Sequence, residues 1–295
     1  MNGIIFTGPD ACGMEIPAKI NLVLDVLGKR PDGYHEVRMI MQQVSLFDTV
    51  RIRKKDTPGF TLSCSEAGIP TDGRNLAVRA AAAFFEAEKL PGGLDIVLEK
   101  RIPAAAGLAG GSADAAAVII LIDRLFGLGL PLSRLCEIGF KIGADVPYCI
   151  RGGTALSEGI GEKLTALHCC PDCFIVLAKI PEGASTGAVY TAFDALEKPL
   201  HPDVEEGIKA LEAGDLKKLC KAAGNSLEAV TKEMLPQIAE VEKYMLDAGA
   251  LSACMSGSGP TVFGIFDDEK KAADAEVRLL RELSDCFAAL VRPVG

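Results

Sequence analysis

Apolar and polar residues along this chain follow two different periods. A period of two runs through residues 16–27, where Ile20, Leu22, Leu24 and Val26 alternate with Asn21, Val23 and Asp25, and predicts a strand. Shorter runs predict strands at 3–6, 34–45, 50–53, 60–65 and 95–100. Turns fall at 29–33 (KRPDG) and at Pro58-Gly59, the latter joining the strands at 50–53 and 60–65. Helical spacing takes over elsewhere. Asn75 is placed to cap a helix over 76–89, residues 115–122 form the apolar middle of a helix ending near 127–129, and Pro131 opens a short helix to 142. Residues 145–154 (DVPYCIRGGT) read as strand and turn, and 174–180 as an apolar strand interrupted only by Lys179. Segments 203–224, 226–234 and 236–248 carry helical periodicity with charged outer faces. Residues 252–266 form a second glycine turn feeding a strand at 261–266. Asp267 and Asp268 open a last amphipathic helix to about 283, before a strand near 288–292.

Strands and helices mix without strict alternation, which predicts an α+β fold. With 295 residues the chain is long enough for two domains, here divided as 1–155 and 156–295. Half of it is hydrophobic (49%) and the net charge is −9, which argues against tracking a nucleic-acid backbone. There is no leader-like start and no apolar run long enough to span a bilayer, so a cytoplasmic location without a membrane partner is expected. Ten cysteines lack a disulfide or metal pattern. Cys169, Cys170 and Cys173 cluster beside His168 without further ligands at usable spacing, and the set fits free thiols in a reducing compartment.

Residues 103–115 (PAAAGLAGGSADA) change the picture most. They lie between the strand at 95–100 and the helix at 115–122. A strand, glycine loop and helix in this order aim backbone N–H groups and a helix N-terminus at one spot, which suits a phosphate. Gly107, Gly110 and Gly111 have access to positive φ, and Ser112 is a candidate N-cap whose hydroxyl also suits a phosphate or metal ion. No Gly-Lys-Ser/Thr follows, so this is not a Walker A loop, and the spacing is not that of the dinucleotide fingerprint. On the residues alone, a tight turn opening a buried helix is the commoner reading of such a loop.

PAAAGLAGGSADAA resembles the phosphate loop of the GHMP kinases, the small-molecule kinases named for galactose, homoserine, mevalonate and phosphomevalonate. SACMSGSGPTVFGIF, from Ser252 to Phe266, is similar to their C-terminal glycine motif. Within the family, PAKINLVLDVLGKRPDGYHEV (17–37) and GADVPYCIRGGTALSEGIGE (143–162) resemble the branch that acts on cytidine diphosphate-linked methylerythritol in the non-mevalonate isoprenoid route. These segments spread over most of the chain, with the weakest coverage at 182–246.

The resemblance implies a two-domain fold with the active site in the cleft between domains. It further implies transfer of the ATP γ-phosphoryl group to the 2-hydroxyl of the cytidyl substrate, with Mg2+. Carried onto this sequence, it makes Lys19 and Asp145 catalytic. Asp145 would orient the acceptor hydroxyl and take its proton, and the Lys19 ammonium would steady the attacking oxygen. It gives Pro103, Ala104, Ala105, Ala106, Gly107, Leu108, Ala109, Gly110, Gly111, Ser112 and Ala113 to ATP. It gives Asn21, Tyr34, His35, Tyr190, Gly257, Ser258 and Gly259 to the substrate, with tyrosine stacking on cytosine. Asp114 is expected to point away from the phosphates, and no protein metal ligand is assigned. Without the resemblance, Asp145 is a turn former before Val-Pro and Lys19 a solvated strand lysine. Two rival readings are a family member taking another alcohol, which has no use for a stacking tyrosine, and a silent nucleotide sensor, which has no need of Lys19 and Asp145. Oligomeric state is not legible.

Overall fold

The computed structural model describes residues 3–283 and 285–295. The chain forms two compact units whose segments interleave. One comprises Met1–Ala18, Leu46–Ala104 and Ala109–Gly152, the other Lys19–Ser45, Ala105–Leu108 and Gly153–Gly295. The sequence suggests a single cut near 155. Two long strands, β2 (Ala11–Lys29) and β3 (His35–Lys55), each contribute residues to both units.

In the first unit, β1 (Ile4–Thr7) lies antiparallel on the start of β2. The second half of β3 pairs antiparallel with β5 (Gly93–Glu99), and β4 (Gly59–Cys64) lies parallel on the far side of β5. The stretch at 50–53 is therefore part of one long strand. The turn at Pro58-Gly59 does not close a paired hairpin, because β5 inserts between β3 and β4. Helix α1 (Leu76–Glu88) starts where Asn75 accepts a bond from the Ala77 N–H at 2.9 Å. It packs on α2 (Gly110–Phe126), which also contacts α3 (Leu132–Phe140) and α4 (Val146–Arg151). Every residue of α2 from Ala113 to Ile122 is buried, so this helix is apolar all round and carries one buried charge, Asp114. Gly127, at φ 64°, ends it. The strand expected at 145–154 is α4 instead. Pro147 sits in the first helical turn, where its fixed φ suits a helix and its missing N–H costs nothing.

In the second unit, β6 (Thr154–Gly159) pairs with the first half of β3 and with β7 (Lys163–Ala166). A second sheet is built from β8 (Phe174–Lys179) with later strands. The helices α5 (Thr186–Asp194), α6 (Val204–Glu212) and α7 (Leu216–Ala222) follow β8. The helix expected over 203–224 is broken into α6 and α7 at Gly214 (φ 61°), after which Asp215 caps α7. Next come β9 (Gly224–Asn225), which lies parallel on β2, and the helices α8 (Glu228–Met234) and α9 (Gln237–Asp247). The strands β10 (Ser252–Met255) and β11 (Thr261–Phe266), helix α10 (Glu269–Glu282), β12 (Phe287–Val291) and β13 (Pro293–Val294) close the chain. The second sheet runs β10-β11-β8-β12, all antiparallel, with α9 and α10 packed on it. Asp268 caps α10 as its position before an amphipathic run suggests. Among the described residues no helix is long and apolar enough to cross a membrane.

Candidate active site

In the second unit, β2 carries Lys19 and Asn21 two positions apart and so on one face. Both are buried, at 5% and 1% exposure, and the Lys19 ammonium donates to Asn21 Oδ1 at 2.8 Å. A buried lysine needs such a partner. The Lys19 backbone N–H donates to the Leu108 carbonyl at 3.1 Å, which pins the segment 105–108 to β2. Ser256 holds the same segment from the other side. Its hydroxyl donates to the Gly107 carbonyl at 3.0 Å and accepts from the Asn21 N–H at 3.3 Å.

The two glycine turns thus lie directly against each other. Gly107 has φ 73°, and a Cβ there would stand 2.2 Å from the Ser256 carbonyl oxygen. Gly257 has φ 59°, and a Cβ there would stand 3.3 Å from the Gly107 carbonyl oxygen and 3.6 Å from Asn21 Oδ1. Asn225, at the end of β9, ties the second turn down. Its amide donates to the carbonyls of Met255 at 2.8 Å and Gly257 at 2.7 Å, and its oxygen accepts from the Leu227 N–H at 2.9 Å. Ser258 exchanges a hydroxyl bond with Thr186 at 3.0 Å, and the Gly259 N–H closes the turn on the Ser256 carbonyl.

A second cluster in this unit gathers around His35. Its Nε2 lies 2.6 Å from Asp194 Oδ1, and Lys29 donates to Asp194 Oδ2 at 2.7 Å. The bond from Lys29, and then that from His35, hold the Asp194 carboxyl below the usual carboxylate range. The Tyr190 ring sits 4.6 Å from the His35 ring, tilted by 37°. Tyr34, the residue before His35, is 60% exposed, its N–H on Asp32 Oδ1. Arg30, bonded to both Asp32 and Glu36, stiffens that turn.

In the first unit, α2 begins at Gly110 after Ala109. No side chain among the described residues caps it, so Ser112 is a first-turn residue rather than the N-cap. Its first N–H groups therefore stay directed out of the helix end, the arrangement that suits an anion. The left-handed positions of the loop are Ala105 (φ 48°), Gly107 and Ala109 (φ 56°), whereas Gly110 and Gly111 are helical. The two alanines each cost about 1 kcal/mol in this conformation, strain of the kind stored at functional sites. Gly110 is needed for closeness: a Cβ there would stand 3.0 Å from Ile102 Cγ2. Asp145 occupies the residue before α4, its carbonyl accepting from Cys149 N–H at 3.0 Å. The turn before it approaches α2, with Gly143 facing the Ser112 hydroxyl. Asp114 is turned into the core, where it pairs with Lys100 at 2.7 Å.

Residues 75–153 match the family GHMP kinases N terminal domain, and residues 208–285 match GHMP kinases C terminal. A 4-diphosphocytidyl-2-C-methyl-D-erythritol kinase of Clostridium botulinum (strain Eklund 17B / Type B) is 46% identical over 270 residues, covering 92% of this chain and 96% of its own. The chain belongs to the GHMP kinase family. A Bacillus pumilus (strain SAFR-032) protein of the same name is 48% identical over 257 residues, covering 87% and 89%. The crystal structure of a 4-(cytidine 5'-diphospho)-2C-methyl-D-erythritol kinase superposes with a TM-score of 0.80 at 33% identity, covering 96% of this chain and all of that one. A homoserine kinase from Cytophaga hutchinsonii ATCC 33406 shares the fold at TM-score 0.79 and 19% identity, covering 97% and 95%.

In this GHMP kinase, sequence reasoning missed four residues that build the two clusters. Ser256 and Asn225 fasten the glycine turns, Asp194 and Lys29 fasten His35. Asn225 and Asp194 fall in the stretch where the sequence resembles the family least. Each is marked only by its fold partner, not by a local motif.

Proposed function

We propose that this GHMP kinase transfers the γ-phosphoryl group of ATP to the 2-hydroxyl of 4-diphosphocytidyl-2-C-methyl-D-erythritol, giving the 2-phosphate and ADP. The observation that carries the reading is the start of α2: a buried helix opening without a side-chain cap at the end of a strained loop. Such a start offers its N–H groups to phosphate oxygens. The choice of alcohol follows the relatives' identity over about nine-tenths of this chain.

In the proposed reaction the 2-hydroxyl oxygen bonds to the γ-phosphorus as the bridging P–O bond to ADP breaks. Asp145 holds the hydroxyl in line and receives its proton. Lys19, steadied by Asn21, neutralises charge on the reacting oxygens. Residues 103–113 wrap the ATP phosphates, and Gly257, Ser258 and Gly259 meet those of the substrate. Tyr34, His35 and Tyr190 receive the cytosine. Among the described residues no three His, Cys, Asp or Glu side chains gather as a metal site. The Ser112 hydroxyl is an oxygen donor of the kind Mg2+ accepts, and that ion keeps phosphate and water as most of its ligands. Mg2+ would supply charge neutralisation on the β- and γ-phosphates. We assign the enzyme to the cytoplasm, where both substrates are water-borne.

The test is an ADP-release assay with ATP and magnesium. It compares the cytidyl substrate with mevalonate, homoserine and galactose. Turnover with the cytidyl substrate alone is expected. Turnover with another alcohol discards the substrate assignment, and ATP binding without any turnover discards the kinase reading.

A further inference from the structure

Lys100 follows β5 and stands three residues ahead of Pro103, at the start of the loop given to ATP. Its ammonium is buried between two buried carboxylates, Asp48 on β3 and Asp114 in α2. It donates to Asp114 Oδ2 at 2.7 Å and to Asp48 Oδ2. Asp48 uses its other oxygen on the backbone, accepting the N–H groups of Arg101 at 2.6 Å and Ile102 at 2.9 Å. The ammonium lies against the start of α2, since a Cβ on Gly110, the first residue of the helix, would lie 3.4 Å from the Lys100 nitrogen. One set of contacts therefore fixes the strand end, the residues leading into the loop and the first turns of α2.

Stability does not explain such a cluster. Burying three charged groups costs several kcal/mol per ion, and apolar residues of the same shape commonly do as well or better. The cluster is also unbalanced, with two carboxylates for one ammonium. Asp114 Oδ1 has no hydrogen-bond partner among the described residues. Burial raises the Asp114 carboxyl above its ordinary range, in keeping with that imbalance. What the three residues do supply is a fixed distance and direction between two backbone segments that bracket the phosphate loop.

We propose that Lys100, held by Asp48 and Asp114, is a positioning residue that sets the phosphate loop against the start of α2 for ATP. This rests on the phosphate-loop reading above. Loop misplacement by about 1 Å is enough to lower catalysis by about two orders of magnitude.

The experiment uses the whole enzyme. Its variants are Asp114→Asn, which keeps shape and an acceptor for Lys100, and the double variant Lys100→Met/Asp114→Asn, which leaves the net charge of the cluster unchanged. Thermal melting reports folding, calorimetry reports binding of a non-hydrolysable ATP analogue, and steady-state kinetics report KM for each substrate. The expected result for the double variant is a rise of about ten-fold or more in Kd for the analogue and in KM for ATP. KM for the alcohol should stay within about two-fold of wild type. Asp114→Asn, which keeps an acceptor but loses the charge that holds the ammonium, should fall between the two, with KM for ATP raised about three-fold. A folded double variant with unchanged analogue binding, or with both KM values raised equally, overturns the positioning role and leaves the kinase reading intact. If the double variant does not fold, Asp114→Asn decides: an unaltered KM for ATP overturns the proposal. A wild-type enzyme that does not bind the analogue overturns the phosphate-loop reading itself, and the positioning role with it.

Discussion

Replacing Gly107 by alanine tests the contact between the two glycine turns. The backbone there has φ 73°, which costs an L-residue about 1–2 kcal/mol. The added methyl would stand 2.2 Å from the Ser256 carbonyl oxygen and 3.1 Å from that of Gly259. Both are backbone atoms and cannot rotate away, so overpacking adds about 1–3 kcal/mol. The total is about 2–5 kcal/mol. The segment is pinned mainly by two bonds, Lys19 N–H to Leu108 and Ser256 hydroxyl to Gly107, each worth about 1 kcal/mol. Shifting the loop is thus cheaper than keeping the clash, and the loss should appear in catalysis more than in stability. The expected result is a fall in kcat/KM for ATP of at least about 30-fold, the equivalent of about 2 kcal/mol. Gly127→Ala is the control. It too lies at positive φ, 64°, but no described atom stands within 4 Å of the Cβ position. It should lower Tm by about 2 °C and leave kcat/KM for ATP within two-fold. A Gly107→Ala enzyme as active with ATP as Gly127→Ala would refute the reasoning.

Asp145→Asn should fold with an unchanged Tm, bind ATP, and lose about 10²–10⁴ in kcat, since general-base action is worth that much. Near-normal turnover removes Asp145 from the reaction. Tyr34→Ala should raise KM for the cytidyl substrate by about 5–150-fold, matching about 1–3 kcal/mol of stacking, with KM for ATP unaltered. Equal effects on both substrates would exclude stacking. Asn225→Ala removes two buried hydrogen bonds and one half-buried one, and takes the amide partner from the Gly257 carbonyl and the Leu227 N–H. It should cost about 2–4 kcal/mol in urea unfolding, and a loss under 1 kcal/mol would show that the second glycine turn does not depend on it.

Local signals in the chain were strong where the physics is local. Asn75 and Asp268 satisfy the first N–H groups of the helices that follow them, a bond between near neighbours that any partner elsewhere leaves unaltered. The same holds for Gly127 as the end of α2. The order of strand, glycine loop and apolar helix around residues 95–122 is also a property of sequence spacing, and with the family motifs it identified the class of chemistry.

Other features depended on which distant segments meet. The run at 145–154 has the apolar content of a strand, and it became α4 because it packs beside α2 and α3 rather than in a sheet. The Pro58-Gly59 turn joins two strands as its residues suggest, but β5, some thirty residues on, took the place between them. In the loop itself, Gly107, Gly110 and Gly111 all had access to the left-handed backbone; the fold uses it at Gly107 and also at Ala105 and Ala109, and uses Gly110 for its lack of a side chain. Ser256, Asn225, Asp194 and Lys100 are ordinary polar residues in their own stretches of sequence. Each acquires its role from a partner far along the chain: Gly107, Gly257, His35, and the Asp48 carboxylate. For Ser256, Asn225 and Lys100 burial makes those partnerships obligatory, because a polar group taken out of water must be bonded, and only the folded chain decides which groups are taken out together.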